Sequence, residues 1–419
     1  MVGIVIGVGI YESPPRVAAN VTGPGGVLLV WGLGGVLAFL GALCYAELAT
    51  AYPRSGGEYV YLTRAYGVWM GFLYGWAELL VIRSGSIAAM AFVFSDYVTR
   101  LLPLGARSSL FYAALAVAAL SLVNLVGVRE GKWTQNALAI SKVLGLLAIV
   151  VLGALSTVGS RPSSPTVESA SGSIALALIF VLWTYGGWHE NAYVAAEVRD
   201  PHVNIPRSLL LGTALVALVY VGVNWAFLQG LGLGALRSSR AAAADLATAP
   251  LGGMAEGLVV TLVAVSALGA VNGQLFTGAR IWYALGRDHA ALARLGAWSQ
   301  RLGTPVPALV AQGVVTLVLI VTLGSRHGFD TLVKYTAAVF WLFFLLTGVS
   351  LFVLRWRDPE QARPYRVPGY PVTPLVFCAS SAYMLHGALT YAPLESTWGC
   401  LITLGGLPLY WASSRKGAR

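Results

Sequence analysis

Two glycine-containing stretches in apolar surroundings carry the residues with the clearest chemistry. One is Ile6-Gly7-Val8-Gly9-Ile10, near the chain start, and the other is Trp183-Thr184-Tyr185-Gly186-Gly187-Trp188-His189-Glu190. A membrane helix pairs every backbone group internally, so unwound backbone at mid-depth is tolerated only where it lines a cavity. A glycine notch for helix packing is the alternative for the second stretch taken alone, and a lone Gly-x-Gly such as the first stretch is a weak signal. Paired breaks in corresponding positions of two halves favour a transporter site.

The two breaks suit the two ends of a zwitterion. Amides freed at the start of a half-helix near Gly7, Val8 and Gly9, with the positive helix end behind them, suit a carboxylate. Carbonyls freed around the second break suit an ammonium group. We therefore expect an α-amino acid as the ligand. The substrate-binding candidates are Ile6, Gly7, Val8, Gly9, Ile10, Trp183, Tyr185, Gly186, Gly187 and Trp188.

Trp183 flanks the second break. A membrane tryptophan usually anchors an interface or fills a core. Beside a helix break it can instead form an aromatic lid over the substrate. Trp188 is equally consistent with either interpretation.

Ionisable residues inside apolar spans are functional candidates because burying them is expensive. Lys142 can bridge backbone carbonyls of the first span, replace a bound cation, or carry a proton. Glu78 and Arg83 can neutralise each other or pair with other helices. His189 and Glu190 can take part in proton movement or simply lie on a solvated cavity wall.

The composition is that of a polytopic membrane protein. Of 419 residues 57% are hydrophobic and 11% charged, and mean hydropathy is +0.73, whereas soluble domains carry about 25% charged residues. The net charge of +10 is spread between helices, which argues against nucleic-acid binding and follows the positive-inside rule. Cys44, Cys378 and Cys400 lie in apolar segments, so neither disulfides nor a metal site is expected. Catalytic and nucleotide-binding motifs are absent, so we expect no cofactor, no ATP drive and no enzyme activity.

Hydropathy predicts about twelve spans in an all-α fold. They cover residues 2–21, 25–52, 67–102, 108–128, 134–158, 172–198, 205–231, 251–285, 307–324, 332–354, 371–391 and 396–412. Arginine and lysine are concentrated in the loops on the side of both termini, which predicts that both termini are cytoplasmic. We expect a cell-membrane location, plasma or inner.

The spans divide into two halves of five, each opening with a glycine-broken helix. Five-span halves place the second break in the opposite membrane sense, as an inverted repeat requires. We therefore expect one transmembrane transporter domain over residues 1–419. Repeat one covers about 1–160, repeat two about 171–356, and two extra helices about 371–413.

Several motifs resemble the amino acid–polyamine–organocation family, most closely its L-type amino acid transporter branch, over nearly the whole chain. The first break is similar to that family's first-helix signature, and Glu78-Leu79-Leu80-Val81-Ile82-Arg83 to its third helix. The other matching motifs are Cys44-Tyr45-Ala46-Glu47-Leu48, Pro53-Arg54-Ser55-Gly56-Gly57-Glu58-Tyr59, Trp183 to Trp188, Glu197-Val198-Arg199-Asp200-Pro201, Asn204-Ile205-Pro206-Arg207, Gly269 to Thr277 and Arg363 to Pro371.

The resemblance implies a LeuT-type fold with alternating access around a midplane site. It implies carboxylate binding at Gly7, Val8 and Gly9, amine binding at carbonyls near Trp183 to Gly186, and Trp183 as the aromatic gate. Lys142 looks like the family's fifth-helix lysine, which stands where sodium-driven relatives hold an ion near Ser266, and this argues against sodium dependence. The coupling or gating candidates are Lys142, Trp183, Ser266, His189, Asn272 and Arg83.

The sequence departs from the family pattern in three places. Val8 replaces the usual serine, and Phe340 stands before Trp341 where animal members have asparagine, so that wall should be more apolar. The chain also begins just before Ile6, so we expect either a truncated start or an unusual inward gate. The loop of residues 103–109 lacks the cysteine that tethers animal L-type carriers to a glycoprotein, so no disulfide-linked heavy chain is expected. We expect a monomer or weak homodimer.

Together these features predict a sodium-independent exchanger or facilitator of neutral L-amino acids. A proton-coupled symporter, with Lys142 and His189 as candidates, is the close alternative. A membrane amino acid sensor without net transport is the alternative from another class.

Overall fold

The computed structural model describes residues 5–54, 56–126, 128–156, 172–239, 241–252, 254–324 and 328–416. Within these ranges nearly all regular structure is helical. The α-helices are α1 (Gly9–Asn20), α2 (Gly23–Ala51), α3 (Glu58–Tyr66), α4 (Val68–Ala77), α5 (Arg83–Leu101), α6 (Ser108–Val126), α7 (Val128–Leu155), α8 (Ile174–Thr184), α9 (Pro201–Ser238), α10 (Ala242–Leu251), α11 (Met254–Asp288), α12 (Val306–Leu323), α13 (Gly328–Arg357), α14 (Val372–Tyr391), α15 (Pro393–Leu404) and α16 (Gly406–Lys416). A π-helical turn, Glu78–Ile82, joins α4 to α5, and 3-10 helices cover Trp188–Glu197 and Ala290–Gly296.

Eight helices of the described chain are long and apolar enough to cross a bilayer. The other predicted spans have a physical reason to fall short. The first and sixth are interrupted, and the last divides at Gly405 into α15 and α16. In the described part of α7 the apolar helical stretch is Ile140–Leu155, which is shorter than a full span. An all-α arrangement with interrupted first and sixth spans is therefore confirmed.

The interrupted helices lie at the centre of the bundle. α1 packs against α8, and α9 packs along α2 while also contacting α1. α5 packs against α11, and α13 against α14. Large apolar side chains such as Leu29 and Leu122 remain exposed on outward faces, as expected for surfaces that meet lipid rather than water.

The seventh and eighth spans differ from the sequence prediction in their boundaries, and the third span differs in its interior. The seventh span does not end at residue 231. Gly232 has φ +75° and kinks the helix there, and the helix then resumes and ends at Ser238. The eighth span begins at Met254, and α10 forms a separate helix before it. The third span contains the π-helical turn. A hydropathy profile does not detect such local backbone changes, because they leave the apolar composition of the segment unchanged.

Candidate functional site

The first helix break exposes the amino-terminal end of α1. Residues 6–8 are not helical, and α1 begins at Gly9. The Tyr11 amide donates to Val8 O at 3.0 Å, which closes the first turn. The first amides of a helix have no partner inside it and carry the positive end of its dipole. This end is therefore suited to a negatively charged group.

The second break follows α8, which ends at Thr184. The Gly186 amide donates to Trp183 O at 2.9 Å and the Glu190 amide to Gly187 O at 3.2 Å. Gly187 has φ +95°, a conformation that side chains other than hydrogen rarely adopt. The chain then continues as a 3-10 helix from Trp188. The paired glycines thus interrupt the span where the sequence predicts.

The two breaks are in direct contact. A Cβ added to Gly9 would lie 2.8 Å from Thr184 Oγ1 and 2.9 Å from the Trp183 ring. The Tyr220 hydroxyl, on α9, donates to Val5 O at 2.9 Å and lies 3.4 Å from Thr184 O. A third helix therefore bridges the backbone of both half-helices.

One cavity opens between the breaks, and seven of the predicted site residues line it. They are Gly7, Gly9, Arg83, Trp183, Gly186, Gly187 and His189. Phe340 also lines it, so this wall is apolar where the resemblance predicts. The cavity thus touches the positive end of α1 and the unwound turn after α8, with charged and aromatic groups around it.

The other predicted substrate-binding residues lie behind this wall. Ile6, Val8 and Ile10 are buried. The Tyr185 hydroxyl donates to Trp31 O at 3.1 Å, on α2. The Trp188 ring packs against Tyr45 with ring centroids 4.9 Å apart. Tyr185 and Trp188 therefore contact α2, and Ile6, Val8 and Ile10 belong to the buried core. The sequence prediction for these stretches concerns their freed backbone amides and carbonyls, so substrate binding there stays a prediction whichever way the side chains point.

Among the coupling candidates, Lys142 contacts the backbone of the first break. Its Nζ donates to Ile6 O at 3.1 Å, and the side chain is fully buried. Ser266 is fully buried on α11, which packs against α7, the helix of Lys142. Asn272 accepts a 2.8 Å hydrogen bond from Asn124 Nδ2 on α6. Lys142 therefore supports the backbone of the site from outside the cavity, whereas Asn272 joins two helices.

A buried ion cluster forms one side of the cavity. Arg83 Nε donates to Glu78 Oε2 at 3.1 Å, and Arg83 Nη1 donates to Glu190 Oε1 at 2.8 Å. The π-helical turn brings Glu78 and Arg83, five residues apart, onto one face. The Thr277 hydroxyl donates to Glu190 Oε2 at 3.0 Å. Buried charges persist when they are paired and hydrogen-bonded, so the predicted pairing of Glu78 with Arg83 is present and extends to a third helix.

The Trp183 ring lies under an ion pair at one end of the bundle. It packs edge to face on Phe329, with centroids 5.1 Å apart. The Arg16 guanidinium lies 5.1 Å from the centroid of the same phenyl ring, and its Nη2 lies 3.1 Å from Asp330 Oδ1. α1 and α13 are therefore joined above Trp183. Sequence reasoning missed Arg16, Phe329 and Asp330, because their pairing spans most of the chain length.

The opposite end is held by Glu47, near the end of α2. Its carboxylate accepts hydrogen bonds from Arg355 at 2.8 and 2.6 Å and from the Val367 amide at 2.7 Å. Arg64 and Asp358 form a further ion pair at 2.8 Å. The cavity thus lies between two layers of charged contacts.

The polar residues that the sequence reasoning left out also lie on the cavity wall. Gln274 Nε2 donates to Ser86 Oγ at 3.1 Å, and both residues line the cavity with Thr336. Each is a polar residue within an apolar span, which is the signal that would have found them.

Comparison with known proteins agrees with this geometry. A family model described as amino acid permease matches residues 1–411. The human b(0,+)-type amino acid transporter 1 is 34% identical over 422 residues, which cover 98% of this chain and 85% of that protein. The rat large neutral amino acids transporter small subunit 2 is 33% identical over 423 residues, which cover 98% and 78%. The fold suits the twelve-span LeuT-like architecture of this superfamily, and the chain belongs to the amino acid permease family.

Proposed function

We propose that this protein moves neutral L-amino acids across a cell membrane by alternating access, as a sodium-independent exchanger or facilitator. The observation that carries the proposal is that both helix breaks line one cavity. The α1 amino terminus would hold the substrate carboxylate, and the carbonyls of the turn after α8 would hold its ammonium group. The names of the two relatives, an amino acid transporter and a large neutral amino acids transporter subunit, support the substrate class.

Sodium independence rests on Lys142. Its ammonium group already donates to Ile6 O, the carbonyl beside the first break. A bound sodium ion needs oxygen ligands of this kind, so the lysine competes with a cation for them. The protein should therefore run without a sodium gradient.

Trp183 is positioned to act as the gate. It lines the cavity and contacts the layer formed by Phe329, Arg16 and Asp330. Opening this end would require the ring to move and the ion pair to separate. Because the pair is partly exposed, its separation costs little, on the order of 1 kcal/mol or less.

The membrane arrangement and the assembly state are part of the proposal. Basic residues on one set of loops favour cytoplasmic termini in the cell membrane. The rat relative is named a small subunit, which implies a larger subunit for that protein. Since residues 103–109 of this chain contain no cysteine, we propose function without a disulfide-linked partner. We also propose that the protein performs no enzymatic reaction.

Proteoliposomes containing the purified protein test the function. We expect the uptake of radiolabelled L-leucine to be the same in choline buffer as in sodium buffer. We also expect this uptake to rise when the vesicles are preloaded with unlabelled leucine. Uptake that requires sodium would contradict the role of Lys142. Binding without any flux would indicate a sensor.

A further inference from the structure

Among the residues that the structure describes, one buried carboxyl group near the cavity has no arginine or lysine partner. Glu58, at the start of α3, has a fully buried side chain. The Tyr45 hydroxyl donates to its Oε1 at 2.9 Å, and His189 Nε2 lies 3.7 Å from the same oxygen. Among the described residues, Glu58 Oε2 and His189 Nδ1 make no hydrogen bond. Two buried polar atoms at this contact thus lack a hydrogen bond of good geometry, and the Tyr193 hydroxyl is a further group that favours the charged form of the acid.

The charges around this contact do not balance when every acid is ionised. Arg83 is the guanidinium of the neighbouring ion cluster, and both Glu78 and Glu190 already pair with it. The Tyr74 hydroxyl lies 3.2 Å from Glu78 Oε1 and 2.7 Å from the Tyr193 hydroxyl, which continues the polar network toward Glu58. In the described part of the chain, one guanidinium therefore faces three buried carboxyl groups. An unpaired buried carboxylate is strongly disfavoured and takes up a proton instead.

The groups that face Glu58 come from every element packed around it. They are Tyr45 on α2, Tyr61 on α3 itself, Tyr74 on α4, Glu78 on the π-helical turn, and His189 and Tyr193 on the 3-10 helix. Most are neutral hydroxyl groups, and Glu78 repels a negative charge on Glu58. Burial raises the pKa of Glu58, which lies on a helix between two spans, to about 8.

We propose that the Glu58 carboxyl group, with the His189 imidazole beside it, binds one exchangeable proton, and that this proton controls opening of the bundle end that carries α3. The proposal rests on the proposed transport function. Ionisation of Glu58 breaks its O–H bond and transfers the proton to His189 or to water entering from that end. It needs no other reactant.

The fold connects this proton site to the helix break. His189 lines the cavity, and its 3-10 helix follows directly from the unwound turn. The Gly56 amide donates to Tyr193 O at 3.1 Å, and a Cβ on Gly57 would lie 2.6 Å from the Tyr193 ring. The 3-10 helix is thus packed directly on the start of α3, so a movement of one relative to the other would change the distance between His189 and Glu58. A group whose proton affinity differs between two conformations couples their equilibrium to pH.

Infrared spectroscopy and a pH profile test the proposal on the intact protein. We expect a protonated carboxylic acid C=O band at neutral pH in wild type that disappears as pH rises. The band should be absent in Glu58→Gln and retained in the matched control Glu360→Gln, which removes an exposed carboxylate. Leucine uptake should vary about tenfold over the same titration in wild type and less than about twofold in Glu58→Gln, which mimics the protonated acid.

A second variant covers the case in which Glu58→Gln fails to fold. Tyr45→Phe keeps the acid and removes the donor that stabilises its charged form, so the infrared midpoint should rise by about one pH unit. An unchanged band in both variants, or a wild-type pH profile in Glu58→Gln, would overturn the proton site. A titrating Glu58 band in a protein that shows no leucine flux would instead remove the transport function and leave the proton site standing.

Discussion

Gly9→Ala tests the contact between the two helix breaks. A Cβ at this position lies 2.8 Å from Thr184 Oγ1, 2.9 Å from the Trp183 ring and 3.0 Å from Thr184 Cα. Ordinary carbon contacts are about 3.5–4.0 Å, and one of these neighbours is backbone, which cannot rotate away. α1 and α8 must therefore separate by several tenths of an ångström.

The magnitude follows from the cost of overpacking, typically about 1–3 kcal/mol. If this cost falls on the conformation that binds substrate, affinity drops about 5- to 150-fold. Helix propensity works the other way, since alanine is favoured over glycine by up to about 1 kcal/mol. Crowding thus remains the cause of any loss, and we expect a reduction of about tenfold.

Gly387→Ala on α14 is the matched control. Its Cβ would lie 3.7 Å from Ile179 Cδ1 and 4.0 Å from Ala175 Cβ, both on α8, so it contacts the same half-helix without crowding it. Equilibrium binding of radiolabelled leucine to purified protein measures both variants. Wild-type affinity in Gly9→Ala, with both variants folded, would refute the close approach of the two breaks.

Three further predictions concern the gate, the first break and the loop ion pair. Trp183→Ala should lower uptake about tenfold or more and should damage transport more than folding, whereas Trp356→Ala, at a largely exposed tryptophan, should leave uptake unchanged; equal flux in both variants would remove the gate. Lys142→Met deletes the charged donor to the first break and should lower leucine affinity about tenfold or more, and wild-type affinity in a binding assay would contradict that role. Asp358→Asn should lower stability at neutral pH by no more than about 1 kcal/mol. The hydrogen bond from Arg64 lowers the Asp358 pKa. The stabilisation by this ion pair is therefore present above the unfolded-state pKa of Asp358 and is lost as pH falls through the lowered folded-state pKa. Wild-type and variant melting temperatures that still differ in strong acid would contradict this pH dependence.

Much of the membrane architecture could be predicted from composition alone. Apolar runs locate spans, and glycines within them locate breaks, because lipid enforces internal backbone pairing. Gly7 and Gly9 were therefore found as readily as Gly186 and Gly187. The repeat boundaries near residues 160 and 171 stay a prediction, since residues 157–171 lie outside the described ranges.

The directions and partners of the side chains at the site were harder to predict. Unwound backbone abolishes helical periodicity, so the inward direction of Trp183 and the outward direction of Tyr185 could not be read from spacing. Long-range pairs such as Arg16 with Asp330 leave no local pattern. The link from Glu58 to His189 depends on how α3 packs under the 3-10 helix, which hydropathy does not encode.

An experimental structure of the protein with a bound neutral amino acid would show whether the two helix breaks hold the substrate. We expect its carboxylate within hydrogen-bond distance of the amides at the start of α1, and its ammonium group at the carbonyls of residues 183–186. A ligand in the reversed orientation, or one bound away from both helix breaks, would contradict this expectation.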